Sequence, residues 1–220
     1  MSRIRVLDST LRDGGYINEW NFGDEGIRLI LDSLDQSGVE IIELGFLSNK
    51  INKNANLSKF NSIDEISNLI DQTSRKNLKV CMVNFGEYEI EEIPDADQIS
   101  LDGIRVAFHK KDMHGALRYC KELVFKGYKV FIQPMVAANY SNEEYLELIR
   151  ESNNIHPYAF YVVDSFGTMK HEDVTKYFLL ANQNLDKDFY IGFHSHNNLQ
   201  LAFSNALSLL SINTDRNIII

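Results

Sequence analysis

The sequence predicts an α/β chain folded as a (β/α)8 TIM barrel, and three observations carry that prediction. Apolar runs of strand length alternate with amphipathic helical stretches along all 220 residues. The unit spacing of roughly 24 to 40 residues and the count of about eight units suit a barrel of ~250 residues. Candidate functional residues follow many different strands: Asp13, Phe46, Asn84, His109, Met135, Asp164 and His196 all fall at or just past carboxyl ends. An open doubly wound sheet would gather such residues near one switch point, whereas a barrel collects them on one rim.

The first strand spans residues 5–9, and a helix over 24–36 follows, with Ile27, Ile30, Leu31 and Leu34 on one face and Gly38 placed to end it. The second strand, 39–46, is mostly apolar. Beyond an Asn- and Lys-rich loop, Ser62 and Glu65 have the spacing of a capping box ahead of Ile66, Leu69 and Ile70. Residues 79–85 are the third strand, and Pro94 with Asp95 and Asp97 marks its crossover as mostly loop. The fourth strand, 103–108, leads to a helix through Leu117, Cys120 and Val124 that stops at Gly127. After the fifth strand, 129–135, Ser141 and Glu144 repeat the capping box before Tyr145, Leu148 and Ile149. The sixth strand, 159–164, is closed by Ser165-Phe166-Gly167-Thr168 and a helix carrying Val174, Tyr177, Phe178 and Ala181. The seventh carries His194 and His196; a helix through Leu201, Ala202, Leu207 and Leu210 then leads to 217–220, the start of an eighth.

Strands alternating with helices in this way pair in parallel through right-handed crossovers. Residues 1–220 read as a single catalytic domain without an internal linker. Because no helix follows the eighth strand, the chain is expected to be the N-terminal part of a longer protein. Its open barrel face would be covered by a C-terminal domain or by another copy in a homo-oligomer.

A net charge of −9, from 22 basic and 31 acidic residues with no Lys/Arg cluster, argues against a nucleic-acid partner. No apolar run approaches the ~20 residues needed to span a membrane, and no apolar signal region opens the chain, so a cytoplasmic protein is expected. Cys81 and Cys120 lie in apolar contexts and read as core thiols.

His194 and His196 are one residue apart at a strand end and so project to one side of that strand. With Asp13 they would make a two-His, one-carboxylate metal site with open positions; by itself a His-x-His pair is equally well a pair of satisfied strand-end histidines. The same triad serves non-haem iron oxygenases, against which the repeated parallel units argue. It also serves hydrolases, but Arg12 beside Asp13 favours an enolate over a water nucleophile.

Four stretches in this order, Leu7-Asp8-Ser9-Thr10-Leu11-Arg12-Asp13-Gly14-Gly15, Ile42-Glu43-Leu44-Gly45, Asp164-Ser165-Phe166-Gly167 and Gly192-Phe193-His194-Ser195-His196-Asn197-Asn198, resemble the DRE-TIM metallolyase family, which includes hydroxymethylglutaryl-CoA lyase. The resemblance is nearest to its 4-hydroxy-2-oxovalerate aldolase branch. It implies Asp13, His194 and His196 as ligands of a divalent metal ion, Mn²⁺ or Mg²⁺, since no thiolate is offered. It implies Arg12 beside the reacting oxygen and Glu43 orienting the Arg12/Asp13 unit. The implied substrate is a small 2-oxo acid, and the implied reaction is aldol cleavage or condensation through a metal-stabilised enolate. Aldolases of the family carry a His just after the Arg-Asp-Gly turn, whereas this chain has Gly15-Tyr16-Ile17-Asn18. Tyr16 takes that place as the catalytic candidate, although a phenol with a pKa near ~10 is a poor base at neutral pH. His109 is a substitute candidate. Two other readings stay open: a barrel that has lost its base and serves as a binding or scaffold module, and a Claisen-type acyl-CoA condensing enzyme of the same family.

Overall fold

The computed structural model describes residues 4–52, 54–73 and 76–220. Its elements follow the order of a (β/α)8 chain. They are β1 (Ile4–Arg5), β2 (Leu7–Asp8), α1 (Asp24–Ser37), β3 (Ile41–Leu47), β4 (Lys59–Phe60), α2 (Ile63–Ile70), β5 (Leu78–Asn84) and β6 (Gly103–Phe108). Then come α3 (Met113–Phe125), β7 (Lys129–Pro134), α4 (Asn142–Asn153), β8 (Ala159–Asp164), α5 (His171–Asn184), β9 (Tyr190–Ser195), α6 (Ala202–Leu210) and β10 (Ile218–Ile219). The crossover marked by Pro94 holds only short 3-10 turns at Ile90–Glu92 and Ala96–Gln98. The first predicted strand is two short ones, separated at Val6.

The chain forms two compact units, one of Val6–Val106 with Glu122–Lys129, the other of Met1–Arg5, Ala107–Lys121 and Val130–Ile220. In the first, β2 and β5 both pair in parallel with β3, which is buried along its whole length, Glu43 included. A strand covered on both faces is what parallel α/β packing produces, and it explains the near-continuous apolar run. The β3–β5 register shifts between Glu43 and Phe46. Beyond the shift β4 adds to β3, setting Lys59 opposite Phe46 and Phe60 opposite Leu47. Gly45 permits this: its φ is +148°, and a Cβ there would lie 2.0 Å from the Ser58 carbonyl oxygen. Any side chain at 45 would push β4 away.

In the second unit β8 and β9 pair in parallel over six positions, from Ala159 opposite Tyr190 to Asp164 opposite Ser195. β10 pairs with both β9 and β1, so the eighth strand forms where the apolar run predicted it. Arg216, just before β10, is only 1% exposed. It donates to the carbonyls of Asn182 and Leu185, each at 2.9 Å, which are orphan acceptors at the end of α5.

Of the two predicted capping boxes, α4 has the full reciprocal pair: Glu144 N donates to Ser141 Oγ at 3.2 Å and Ser141 N to Glu144 Oε2 at 2.7 Å. At α2 the pair does not close. Ser62 makes no side-chain cap bond, and the Glu65 carboxylate reaches one residue further back, to Asn61 N at 3.4 Å. Among the described residues no helix is long and apolar enough to cross a membrane.

Candidate metal ligands and a candidate catalytic cluster

The first unit carries the carboxylate–guanidinium half of the predicted site. After β2 the chain turns through bonds from Arg12 N and Asp13 N to the Ser9 carbonyl, at 3.1 and 2.7 Å. Asp8 braces that turn by accepting from Thr10 N at 2.9 Å and Thr10 Oγ1 at 3.0 Å. Arg12 then points inward and is 4% exposed. Its Nε donates to Glu43 Oε2 at 2.8 Å and its Nη1 to Asp13 Oδ1 at 2.7 Å. Burial works against the guanidinium charge, but attraction to Glu43 and then Asp13 outweighs it, and the Arg12 pKa lies above its ordinary value.

Glu43 has a second partner that the sequence reading missed. Arg105 Nη1 in β6 donates to Glu43 Oε2 at 2.6 Å, and both side chains are fully buried. The available signal was a charge in the middle of an apolar run, Ile104-Arg105-Val106, where solvent cannot satisfy it. The result is one carboxylate between two guanidiniums, with Asp13 beyond one of them. Arg12 Nη2 and Glu43 Oε1 are buried without a hydrogen-bond partner among the described residues. An unmade bond of that kind costs about 1–3 kcal/mol unless something else completes it.

Tyr16 stands at the edge of this cluster, its ring 4.6 Å from that of Trp20 and largely exposed. Partial desolvation raises its phenol pKa, the nearby Arg12 charge opposing, and the net shift is upward. Tyr16 therefore holds its proton more firmly than a free tyrosine, which suits a donor better than a base.

The second unit carries the imidazoles. His194 is the penultimate residue of β9 and His196 follows the strand's end, with ring centres 5.0 Å apart and planes at 90°. His196 Nδ1 lies 2.9 Å from the Asp164 carbonyl oxygen. A carbonyl only accepts, so Nδ1 carries the proton and Nε2 is the ring's acceptor atom. Metal-binding histidines are commonly fixed by such a bond. Asp164 is structural through its side chain as well, accepting from Thr168 N and Met169 N at 3.1 Å each. Gly167 in that turn has φ +63°, and a Cβ there would come within 2.5 Å of Asn198 N and 2.7 Å of His196 O. Glycine thus lets two backbone segments touch directly behind His196. Asn197 Oδ1 accepts from Ala202 N at 3.1 Å and starts α6. His109, the substitute candidate, is exposed.

The fold and these two residue sets define a parallel α/β chain with a buried Arg–Asp turn and a strand-end His-x-His. Residues 3–212 match the HMGL-like family model, and the chain belongs to that family. It is 29% identical over 213 residues to a 4-hydroxy-2-oxovalerate aldolase of Geobacillus genomosp. 3, covering 94% of this chain and 61% of that protein. It is 26% identical over 210 residues to an oxaloacetate decarboxylase of Mycobacterium tuberculosis, covering 96% of this chain and 62% of that one. The chain thus spans about three fifths of the length of these relatives. Among solved structures, the HMG-CoA lyase of Brucella melitensis superposes with a TM-score of 0.70 at 13% identity, over 100% of this chain and 80% of the other. The carboxyl transferase domain of Rhizobium etli pyruvate carboxylase, solved with pyruvate, gives 0.73 at 15% identity, over 100% of this chain and 40% of the other. At such identities the two structures speak for the fold alone.

Proposed function

We propose that this chain is the barrel of a divalent-metal-dependent carbon–carbon lyase that acts on a 2-oxo acid through an enolate. One observation carries the reading: a buried guanidinium, fixed in its plane by Glu43 and Asp13, whose Nη2 has no hydrogen-bond partner among the described residues and is available to a substrate oxygen. Asp13, His194 and His196 would hold the cation. Their donor atoms, one carboxylate and two imidazoles with no thiolate, suit Mn²⁺ or Mg²⁺ in an open site, and the Nδ1 bond of His196 leaves Nε2 as ligand atom. When bound, such a cation supplies Lewis-acid polarisation of the keto oxygen.

The remaining work falls to the chain's own residues. Breaking the C3–C4 bond of a 2-oxo acid sends an electron pair toward the keto oxygen, and Arg12 Nη2 donates to that oxygen as the charge develops. Glu43 and Arg105 keep the guanidinium from turning, so no reorganisation is needed at that moment. The relatives' names support the class. An aldolase and a decarboxylase of 2-oxo acids cleave different bonds but leave the same kind of enolate.

The test is exchange of pyruvate methyl protons with deuterium, followed by NMR in metal-saturated protein. Wild type should exchange, and His196→Ala should neither exchange nor retain metal by elemental analysis. A wild type that leaves the methyl signal untouched, or a His196→Ala variant with unchanged metal content, overturns the reading.

A further inference from the structure

We propose that Lys59 is the general base of the aldol cleavage, standing where the family's histidine is missing. The inference rests on the lyase reading above and adds to it the residue that moves the proton. Lys59 lies on β4, the short strand that Gly45 admits beside β3. Its ammonium nitrogen is 3.3 Å from the centre of the Trp20 ring and 5.9 Å from that of Phe46. The Arg12 guanidinium carbon is 5.7 Å from the same Phe46 ring. One aromatic ring thus has the enolate-binding cation and the lysine amine both within 6 Å of its centre.

The placement is built rather than incidental. Trp20 Nε1 donates to the Arg12 carbonyl at 2.6 Å, tying the ring under Lys59 to the catalytic turn. Ser58 N donates to the Trp20 carbonyl at 3.1 Å, and Ser58 Oγ donates to the Leu11 carbonyl. The residue before Lys59 is therefore bound to both ends of the loop that carries Arg12. Glu19 and Trp20 sit at positive φ, +56° and +62°, a conformation that costs non-glycine residues about 1–3 kcal/mol each and persists only where the surroundings impose it. Here it delivers the Trp20 ring.

Burial lowers the amine's pKa from its ordinary value, and Glu87 and Glu19, the charged groups that act on it, only partly oppose the shift. The aromatic faces receive the ammonium once it forms. In the cleavage direction the neutral amine takes the proton of the 4-hydroxyl. The O–H electron pair becomes the second bond of the aldehyde carbonyl, the C3–C4 bond breaks, and its electrons pass to the enolate. The ammonium then returns the proton to C3, which restores the amine and gives the shortened 2-oxo acid.

The experiment follows pyruvate release from 4-hydroxy-2-oxovalerate by metal-saturated wild type, Lys59→Arg, Lys59→Cys, and Lys59→Cys alkylated with 2-bromoethylamine. Alkylation is selective because Cys81 and Cys120 are fully buried and burial pushes both thiols far up. Lys59→Arg keeps the cationic form but stays protonated and so cannot accept a proton, and kcat should fall ~10²–10⁴-fold with KM moving less. The alkylated cysteine carries a more acidic amine. It should recover activity, with the rising limb of the pH–rate profile displaced to lower pH, since the base must be neutral to act. A Lys59→Arg variant with wild-type kcat, or one altered in KM alone, makes Lys59 an anion anchor and overturns the proposal while the lyase reading stands. A wild type that exchanges pyruvate protons but cleaves no 4-hydroxy-2-oxo acid overturns the proposal alone, and one that does neither overturns both.

Discussion

The two halves of the proposed site are held by different physics. Around Glu43, charges fix charges: three side chains no more than 4% exposed, joined by bonds of 2.6 and 2.8 Å. Around His196, backbone fixes backbone: a glycine turn, a carbonyl on Nδ1, and a carboxylate tied to two amides. The first arrangement costs desolvation energy and returns a guanidinium that cannot rotate. The second keeps the imidazoles partly open to water. A donor to developing charge benefits from a dry, immovable setting, whereas a ligand needs a route by which an ion can enter.

The contrast can be broken most forcefully at Glu43. Glu43→Gln removes the negative charge to which both Arg12 and Arg105 donate, leaving a neutral amide between two buried cations. Stability should drop by ~3–5 kcal/mol, read by urea unfolding. A drop below ~1 kcal/mol, the scale of surface pairs, would mean that water reaches the cluster. Arg12→Lys tests the chemistry of the same half. It keeps the charge but loses the planar fork, so pyruvate exchange should slow ~10²–10³-fold, about 3–4 kcal/mol, with KM nearly constant. An unchanged exchange rate would leave Arg12 a structural partner of Glu43. The other half should respond more mildly in stability and more in affinity. Gly167→Ala places a methyl against His196 and Asn198 at positive φ, for a loss of ~1–3 kcal/mol. Mn²⁺ binding, followed by electron paramagnetic resonance, should weaken ~10–100-fold, the range for disturbing a ligand's support. Wild-type affinity in that variant would show that the turn does not set the imidazoles.

Much of this was legible in the sequence, for identifiable reasons. The long buried strands, β3 and β5 to β9, are apolar runs, so their order could be read directly, and the apolar end of the chain marked the two residues of β10. His194 and His196 stood out because alternation puts them on one side of a strand whatever surrounds it. What escaped depends on neighbours distant in the chain. β4 is two residues long and exists only because Gly45 leaves room for it, so Lys59 read as part of a polar loop. Arg105 escaped because one charge in a strand looks like an edge position until the carboxylate 62 residues earlier is seen beside it. At Ser62 the capping spacing was present, but the glutamate found a different amide.

The register step in β3 bears on how such a chain can change over evolutionary time. Ahead of the step the strand carries Glu43, to which two buried arginines donate. Past it, the same strand still meets β5, Phe46 opposite Met82, and on its other edge receives the segment that the following loop brings. The side chain at 59 can therefore be exchanged like a bit in a drill, arriving opposite Phe46 while Ser58 keeps its ties to Leu11 and Trp20. A lineage that lost one proton carrier could recruit another from this segment in a few substitutions. New reactivity would then be sought by varying residue 59, with Gly45 and Ser58 kept, rather than the inherited motifs.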